Sequence, residues 1–125
     1  MKYCRREELR EDVLPGRIIA NAVGKDAAIE SEKMTVGFGR YCAEAGLMAP
    51  HNHAEETVYI IDAKRGRVRY GGEPDHLLHQ LELKPGMILH FDALEWHVFE
   101  YEEDGFVEIM FLYGQTDNIR PEASA

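Results

Sequence analysis

The chain has 125 residues, a length that accommodates one domain spanning 1–125 with a core of its own. Acidic side chains outnumber basic ones by 23 to 14, for a formal charge of −9. A net-negative surface repels phosphate backbones and anionic lipid headgroups, so neither nucleic acid nor membrane is an expected partner.

Residues 1–14 form a charged leader (Arg5, Arg6, Glu7, Glu8, Arg10, Glu11, Asp12), which reads as a short solvated helix stopping before Pro15-Gly16. No apolar stretch follows Met1 to make a signal peptide, and no segment reaches the length of a membrane span, so a cytoplasmic protein is expected. Arg17 to Ala22 is a short apolar run. Met34 to Cys42 alternates, with Met34, Val36, Phe38 and Arg40 on one face and Thr35, Gly37, Gly39 and Tyr41 on the other. The two cysteines, Cys4 and Cys42, form no spaced framework, and Cys42 reads as a small buried hydrophobe.

Thr57 to Ile61 is rich in β-branched and aromatic residues. Val68 to Tyr70 follows a polar turn through Lys64-Arg65-Gly66, so the two runs resemble a hairpin. After the turn Gly71–Asp75, His79 to Leu83 alternates. Pro85-Gly86 precedes Met87 to Phe91, and Trp96 to Tyr101 and Phe106 to Tyr113 complete the series. Residues 117–125 read as a polar tail. Many short strands at close spacing, without a sustained helical period, predict an all-β domain: an antiparallel β-barrel or jelly-roll sandwich.

Four of the six histidines carry the chemistry to be weighed. His51 and His53 are a strand step apart, which puts two imidazoles on one face. Glu55 and Glu56 follow at once, and His97 opens a later strand. Three nitrogens and one oxygen make a donor set for Fe, Mn, Ni, Co or Zn. His76 and His79 flank the turn at Pro74 and are expected at the surface. His90 is either a cavity-lining partner of His97 or an ordinary strand histidine.

GLMAPHNHAEETVYII (46–61) resembles the first motif of the cupins, a glycine leading into H-x-H and then a glutamate that opens an apolar strand. PGMILHFDALEWHVF (85–99) resembles the second, a P-G turn, a strand, a loop and a histidine. The resemblance implies a cupin fold with His51, His53, His97 and Glu56 as ligands of one divalent transition-metal ion. The register of the following strand favours Glu56 as the carboxylate; strict alternation from His51 and His53 favours Glu55. Three departures stand out: only Ala54 and Glu55 separate His53 from Glu56, Ala63 replaces the glycine ending the first motif, and Asp92 and Leu94 stand where the second has proline and glycine.

Around such a centre an apolar cavity is expected, with Met34, Val36, Phe38, Tyr59, Trp96, Phe99 and Phe111 as candidate lining. Arg40, on the apolar-patterned face of its strand, either faces solvent or grips an acidic ligand. Arg40, Tyr59, His90 and Trp96 are thus the candidate substrate-binding residues. The resemblance implies a metal-dependent enzyme acting on a small organic molecule, with dioxygenase chemistry first by family frequency. A non-catalytic small-molecule-binding cupin and an isomerase, lyase or decarboxylase are the alternatives, and a homodimer is expected by the same resemblance.

Overall fold

The strand-after-strand pattern resolves into eight strands in the computed structural model, which describes residues 1–120. They are β1 (Asp12–Leu14), β2 (Arg17–Gly24), β3 (Ile29–Glu30), β4 (Thr35–Cys42), β5 (Glu56–Gly71), β6 (His79–Glu82), β7 (Ile88–Phe91) and β8 (Trp96–Tyr113). They form one sheet in the order β1-β2-β4-β8-β5-β6, with β3 against β2 and β7 against β5. Every pairing is antiparallel except β2 with β3. The sheet folds into a cupin-like sandwich and its hydrogen bonding does not close into a barrel. Among the described residues there is no α-helix, and no helix is long and apolar enough to cross a membrane.

The expected hairpin at Lys64-Arg65-Gly66 is not there, because these residues bend a single strand of 16 residues. Opposite them β8 is also one strand, of 18 residues, where two shorter ones were expected. Lys64 pairs with Phe106 and Gly66 with Tyr101, so residues 102–105 bulge out of the ladder. Arg65 (φ 48°) and Asp104 (φ 62°) take the left-handed backbone conformation there. Gly66 is required at this bend: a Cβ on it would lie 2.5 Å from Val107 Cγ2. Turns and bulges draw on the same residues, which is why composition could not separate them.

Nor is the charged leader a solvated helix. Only Arg6–Glu8 make a 3₁₀ turn, and the segment straps the outer side of the sheet. The Arg6 guanidinium sits 4.5 Å from the centre of the Phe38 ring and pairs with Glu108 at 3.1 Å. Glu11 approaches Arg40 at 3.8 Å. The strap explains a second reversal. In β4 the inward face carries Thr35, Gly37, Gly39 and Tyr41, while Val36, Phe38, Arg40 and Cys42 point outward, with Cys42 half-buried. A Cβ on Gly37 would come within 2.6 Å of Phe111 Cζ, so glycine makes room for the side chains of β8.

The core follows from the alternation of the two long strands. Val58, Ile60 and Val68 of β5 and Phe99, Val107, Ile109 and Phe111 of β8 share the inner face, all nearly or fully buried. One row of this face runs across four strands, because Thr35 pairs with Tyr113, Tyr113 with Glu56 and Glu56 with Phe91. That row ends beside the histidines.

Candidate metal centre

His51 and His53 lie in the extended segment before β5, outside any strand, and His97 is the second residue of β8. The segment is held against β8 by a single bridge, with His51 N–H donating to His97 O at 3.0 Å and His97 N–H to His51 O at 2.9 Å. Leu94 N–H donates to His53 O at 2.8 Å, which ties the second motif's loop to the same segment. The bridge places the rings of His51 and His97 side by side, with centroids 4.4 Å apart. Phe91 stacks on His97 at 3.9 Å and seals it from solvent.

The side-chain nitrogens available as ligands on His51, His53 and His97 lie within 4.8 Å of one another. Each ring turns its other nitrogen to a backbone carbonyl. His51 Nδ1 donates to Ala49 O at 3.3 Å, His53 Nδ1 to Ala54 O at 2.8 Å and His97 Nδ1 to Glu95 O at 2.9 Å. A nitrogen facing a carbonyl oxygen must be the protonated one, so each neutral ring presents its Nε2 lone pair to the others. The Nε2 atoms of His53 and His97 are 3.1 Å apart. Two nitrogens each about 2.1 Å from one ion are roughly 3.0–3.4 Å apart at angles between a right angle and tetrahedral. The His53–His97 pair has the spacing of two ligands on one ion, and all three rings suit a metal on chemistry.

Burial and mutual repulsion enforce neutral rings. The His51 pKa is pushed down to about 2, first by burial and then by His97 and His53; that of His97 is pushed down to about 3 by burial and His53. Glu56 stands beside them, 4% exposed, with Oε1 3.4 Å from His53 Nε2. It lies outside the set of nitrogens within 4.8 Å, yet it faces the same space. Burial raises its pKa to about 7, against the opposing pull of a hydrogen bond from Tyr113 and the charge of Arg120. Glu55 points the other way, to the exposed side, and bonds His90 Nε2 at 2.7 Å. The alternation from His53 breaks at the bend at Ala54, and β5 begins afresh with Glu56 inward.

A cavity of about 350 Å³ opens in front of this group, lined by His51, His53, Glu56, Tyr41, Phe111 and Tyr113 on its inner side. None of the four candidate substrate-binding residues lines it. Arg40 is on the outer face of β4. Tyr59 is 42% exposed, because Val58 and Ile60 take the inner face on either side of it. His90 is exposed, between Glu55 and Thr57 Oγ1 at 2.9 Å. Trp96 is half-buried, and the alternation of β8 turns it away from the face that carries His97. Met34, Val36 and Phe38 are likewise outside, whereas Phe99 packs in the core and Phe111 reaches the cavity. His76 and His79 are exposed.

Sequence reasoning missed Tyr41, Tyr113, Arg17 and Arg120, which also line the cavity. Tyr113 was within reach, since it continues the inward series Val107, Ile109, Phe111. Arg120 was not, because it lies in the stretch read as a polar tail. Residues 117–120 instead form part of the cavity wall: Ala54 N–H donates to Ile119 O at 2.7 Å, and Asp117 pairs with Lys25 at 2.9 Å. Residues 121–125 of that tail lie outside the described residues.

An open antiparallel sandwich with three histidines converging at one end of its inner face defines a cupin fold with a candidate metal centre. Solved structures of the same fold include the polyketide cyclase RemF from Streptomyces resistomycificus, with 17% identity over 96% of this chain and 84% of that one and a TM-score of 0.74. The DMSP lyase DddQ from Ruegeria pomeroyi is similar at 19% identity over 79% of this chain and 46% of the other, TM-score 0.63. The oxalate decarboxylase of Lactobacillus farciminis is similar at 11% identity over 90% of this chain and 33% of the other, TM-score 0.69. At such identities the likeness is one of fold. No protein-family model matches the chain, and no curated protein matches its sequence.

Proposed function

We propose that the protein is a metal-dependent enzyme acting on a small organic molecule, with His51, His53, His97 and Glu56 holding one divalent transition-metal ion. The observation that carries this reading is the convergence of three Nε2 lone pairs whose rings are fixed by Nδ1–H bonds to backbone carbonyls. Lone pairs aimed at one another repel unless a cation lies between them. A buried carboxylate loses its solvation unless a cation balances it, and Glu56 faces the same cavity. Mn is supported among the candidate metals by the Mn(II) centres named for an oxalate decarboxylase of Bacillus subtilis, a structure of similar fold.

An ion bound there supplies Lewis-acid polarisation of a substrate oxygen. The Tyr113 hydroxyl donates to Glu56 and so fixes the carboxylate. Burial raises the pKa of both Tyr41 and Tyr113, so their hydroxyls stay protonated and can donate. The names cyclase, lyase and decarboxylase among the structural neighbours support bond-breaking or ring-closing chemistry over the oxygenation expected from family frequency.

The test has two stages. Elemental analysis of protein purified without added metal is expected to find close to one transition-metal ion per chain; no enrichment over a His97→Ala control overturns the metal reading. The metal-loaded protein is then assayed with small organic acids, hydroxy acids and ketones under argon and in air. Turnover under argon is expected. Turnover only with oxygen uptake makes it an oxygenase, and tight binding without turnover makes it a binding module.

A further inference from the structure

We infer that the Tyr41 hydroxyl is the hydrogen-bond donor that recognises the ligand of the cavity, and that this ligand carries a carbonyl oxygen on a short apolar skeleton. The inference deepens the metal-centre reading and rests on it only for what happens to the ligand once bound.

Tyr41 stands near the end of β4, opposite Val107 of β8, with its side chain on the inner face. Its ring stacks on Phe99, with centroids 4.6 Å and planes 29° apart, and Phe99 lies 6.3 Å from the His97 ring. Packing therefore fixes the phenol one ring away from the histidine cluster. The residue is 5% exposed and lines the same cavity as His51, His53 and Glu56. Its oxygen is what sets it apart. Among the described residues no group hydrogen-bonds the Tyr41 hydroxyl, and it is not one of the side-chain polar atoms enclosed by the packing without a partner. The hydroxyl therefore opens on the cavity. Tyr113, the other inward tyrosine, has its hydroxyl committed to Glu56.

A phenylalanine at position 41 could stack on Phe99 in the same way, so the oxygen adds nothing to the packing. Withdrawing a polar group from bulk water without a partner is costly, and a ligand that accepts its proton removes that cost. A phenol is protonated at neutral pH, and burial holds Tyr41 more firmly in that form. The group to be recognised is thus an acceptor. A carbonyl oxygen accepts in the plane of its substituents and brings no donor of its own to satisfy. Ile19 and Phe111 line the same cavity with apolar side chains, which suits a skeleton whose polarity is confined to that oxygen. The volume, about 350 Å³, is at the small end of ligand cavities and sets a short skeleton.

The test removes the one oxygen with Tyr41→Phe and titrates wild type and variant calorimetrically with two matched pairs of probes. The pairs are cyclohexanone with methylenecyclohexane and acetophenone with α-methylstyrene, each ketone beside a hydrocarbon of nearly the same shape. Both proteins are measured after manganese loading and again after chelator treatment. Wild type is expected to prefer at least one ketone to its hydrocarbon. Tyr41→Phe should weaken that ketone about three- to tenfold, the scale of one neutral hydrogen bond, and leave the hydrocarbon unchanged. Its melting temperature and bound manganese should match wild type, because no hydrogen bond within the protein is lost. A ketone that binds the variant as tightly as wild type, an equal loss for ketone and hydrocarbon, or no ketone preference in wild type each overturns the inference. So does a melting temperature lowered by about four degrees or more, which would give the hydroxyl a structural partner. The metal reading fails separately: a protein that takes up no manganese yet keeps the Tyr41-dependent ketone preference sinks the metal centre and leaves this donor standing.

Discussion

His51 and His97 exchange both of their backbone hydrogen bonds, at 3.0 and 2.9 Å, although 46 positions separate them in the chain. Residues paired in this way across antiparallel backbones carry their side chains on the same face. The ring contact at 4.4 Å is therefore set by main-chain geometry before any metal binds. The unfolded chain has no such pair, so the centre exists only in the folded protein, and a metal that binds it acts as a staple.

Metal removal is accordingly expected to lower the melting temperature. A ligand that binds only the folded form stabilises it by about 2.7 kcal/mol at a free concentration a hundred times its dissociation constant. For a domain of this size that is a shift on the order of ten degrees. Chelator should produce this loss in wild type and in His79→Ala, whose ring is exposed and stacks on Tyr70. His97→Ala should show neither bound metal nor a chelator response. A His97→Ala protein that keeps both disproves the site.

The carboxylate pair gives a sharper comparison. Glu56→Gln keeps the size of the side chain and an acceptor for Tyr113, but removes the charge facing the histidines. Metal affinity should fall roughly ten- to a hundredfold, the scale typical of perturbing a metal site close to the ion. Glu55→Gln, on the exposed side with His90, should leave affinity within about twofold. Competition titrations against a chromogenic chelator measure both. The opposite ranking would assign the carboxylate role to Glu55.

Much of the centre was legible in the sequence because spacing carries it. H-x-H before an apolar strand, and a histidine eleven residues after the glycine of a P-G turn, are local patterns; the alternation Glu56, Val58, Ile60 favours Glu56 as the inward carboxylate, against the alternation from His51 and His53 that favours Glu55. The ligand side of the cavity was not legible. In β4 the inward face is carried by Gly37 and Gly39 and the outward face by Val36 and Phe38, the reverse of what hydrophobicity alone suggests. The leader covers the outer face through Arg6 and Glu11, contacts between segments far apart in sequence. Arg17 and Arg120 line one cavity for the same reason, through tertiary placement that no local pattern announces.

One departure from the cupin pattern has a backbone consequence. Leu94, where the resemblance expects glycine, sits at φ 66° while its N–H holds His53 O at 2.8 Å. A non-glycine residue in that conformation costs roughly 1–2 kcal/mol, and glycine gives back roughly 0.5–1 kcal/mol through its larger unfolded-state entropy. Leu94 is 55% exposed, so little burial is lost on replacement. Leu94→Gly is expected to raise stability by about 0.5–1 kcal/mol in a denaturant titration. Leu94→Ala, which retains the Cβ, should not. A gain in the alanine variant equal to that in glycine would place the strain elsewhere.

Three groups contribute to the pH dependence of the metal-free protein in opposite directions. His51 and His97 have folded-state pKa values pushed down, to about 2 and about 3, from an ordinary value of 6.5. Groups depressed in the folded state contribute stability that is present above the unfolded pKa and is lost as pH falls, because the unfolded chain takes up protons the folded one refuses. Glu56 is raised from 4.5 to about 7 and works the other way: its folded form is protonated first, so its contribution declines as pH climbs through that interval. Between about pH 4.5 and 6.5 the two histidines bind two more protons unfolded and Glu56 one fewer, a net difference of one proton. These groups together should therefore remove about 1.4 kcal/mol of stability per pH unit of acidification across that window. Above pH 6.5 only the Glu56 term is left and the slope should change sign. The measurement is a series of urea titrations of chelator-treated protein from pH 5 to 8, in wild type and in Glu56→Gln. Removing the opposing carboxyl should steepen the acid limb to about twice its wild-type slope and abolish the decline above pH 6.5. An acid limb unchanged in Glu56→Gln would mean that this carboxyl does not titrate in the folded cavity.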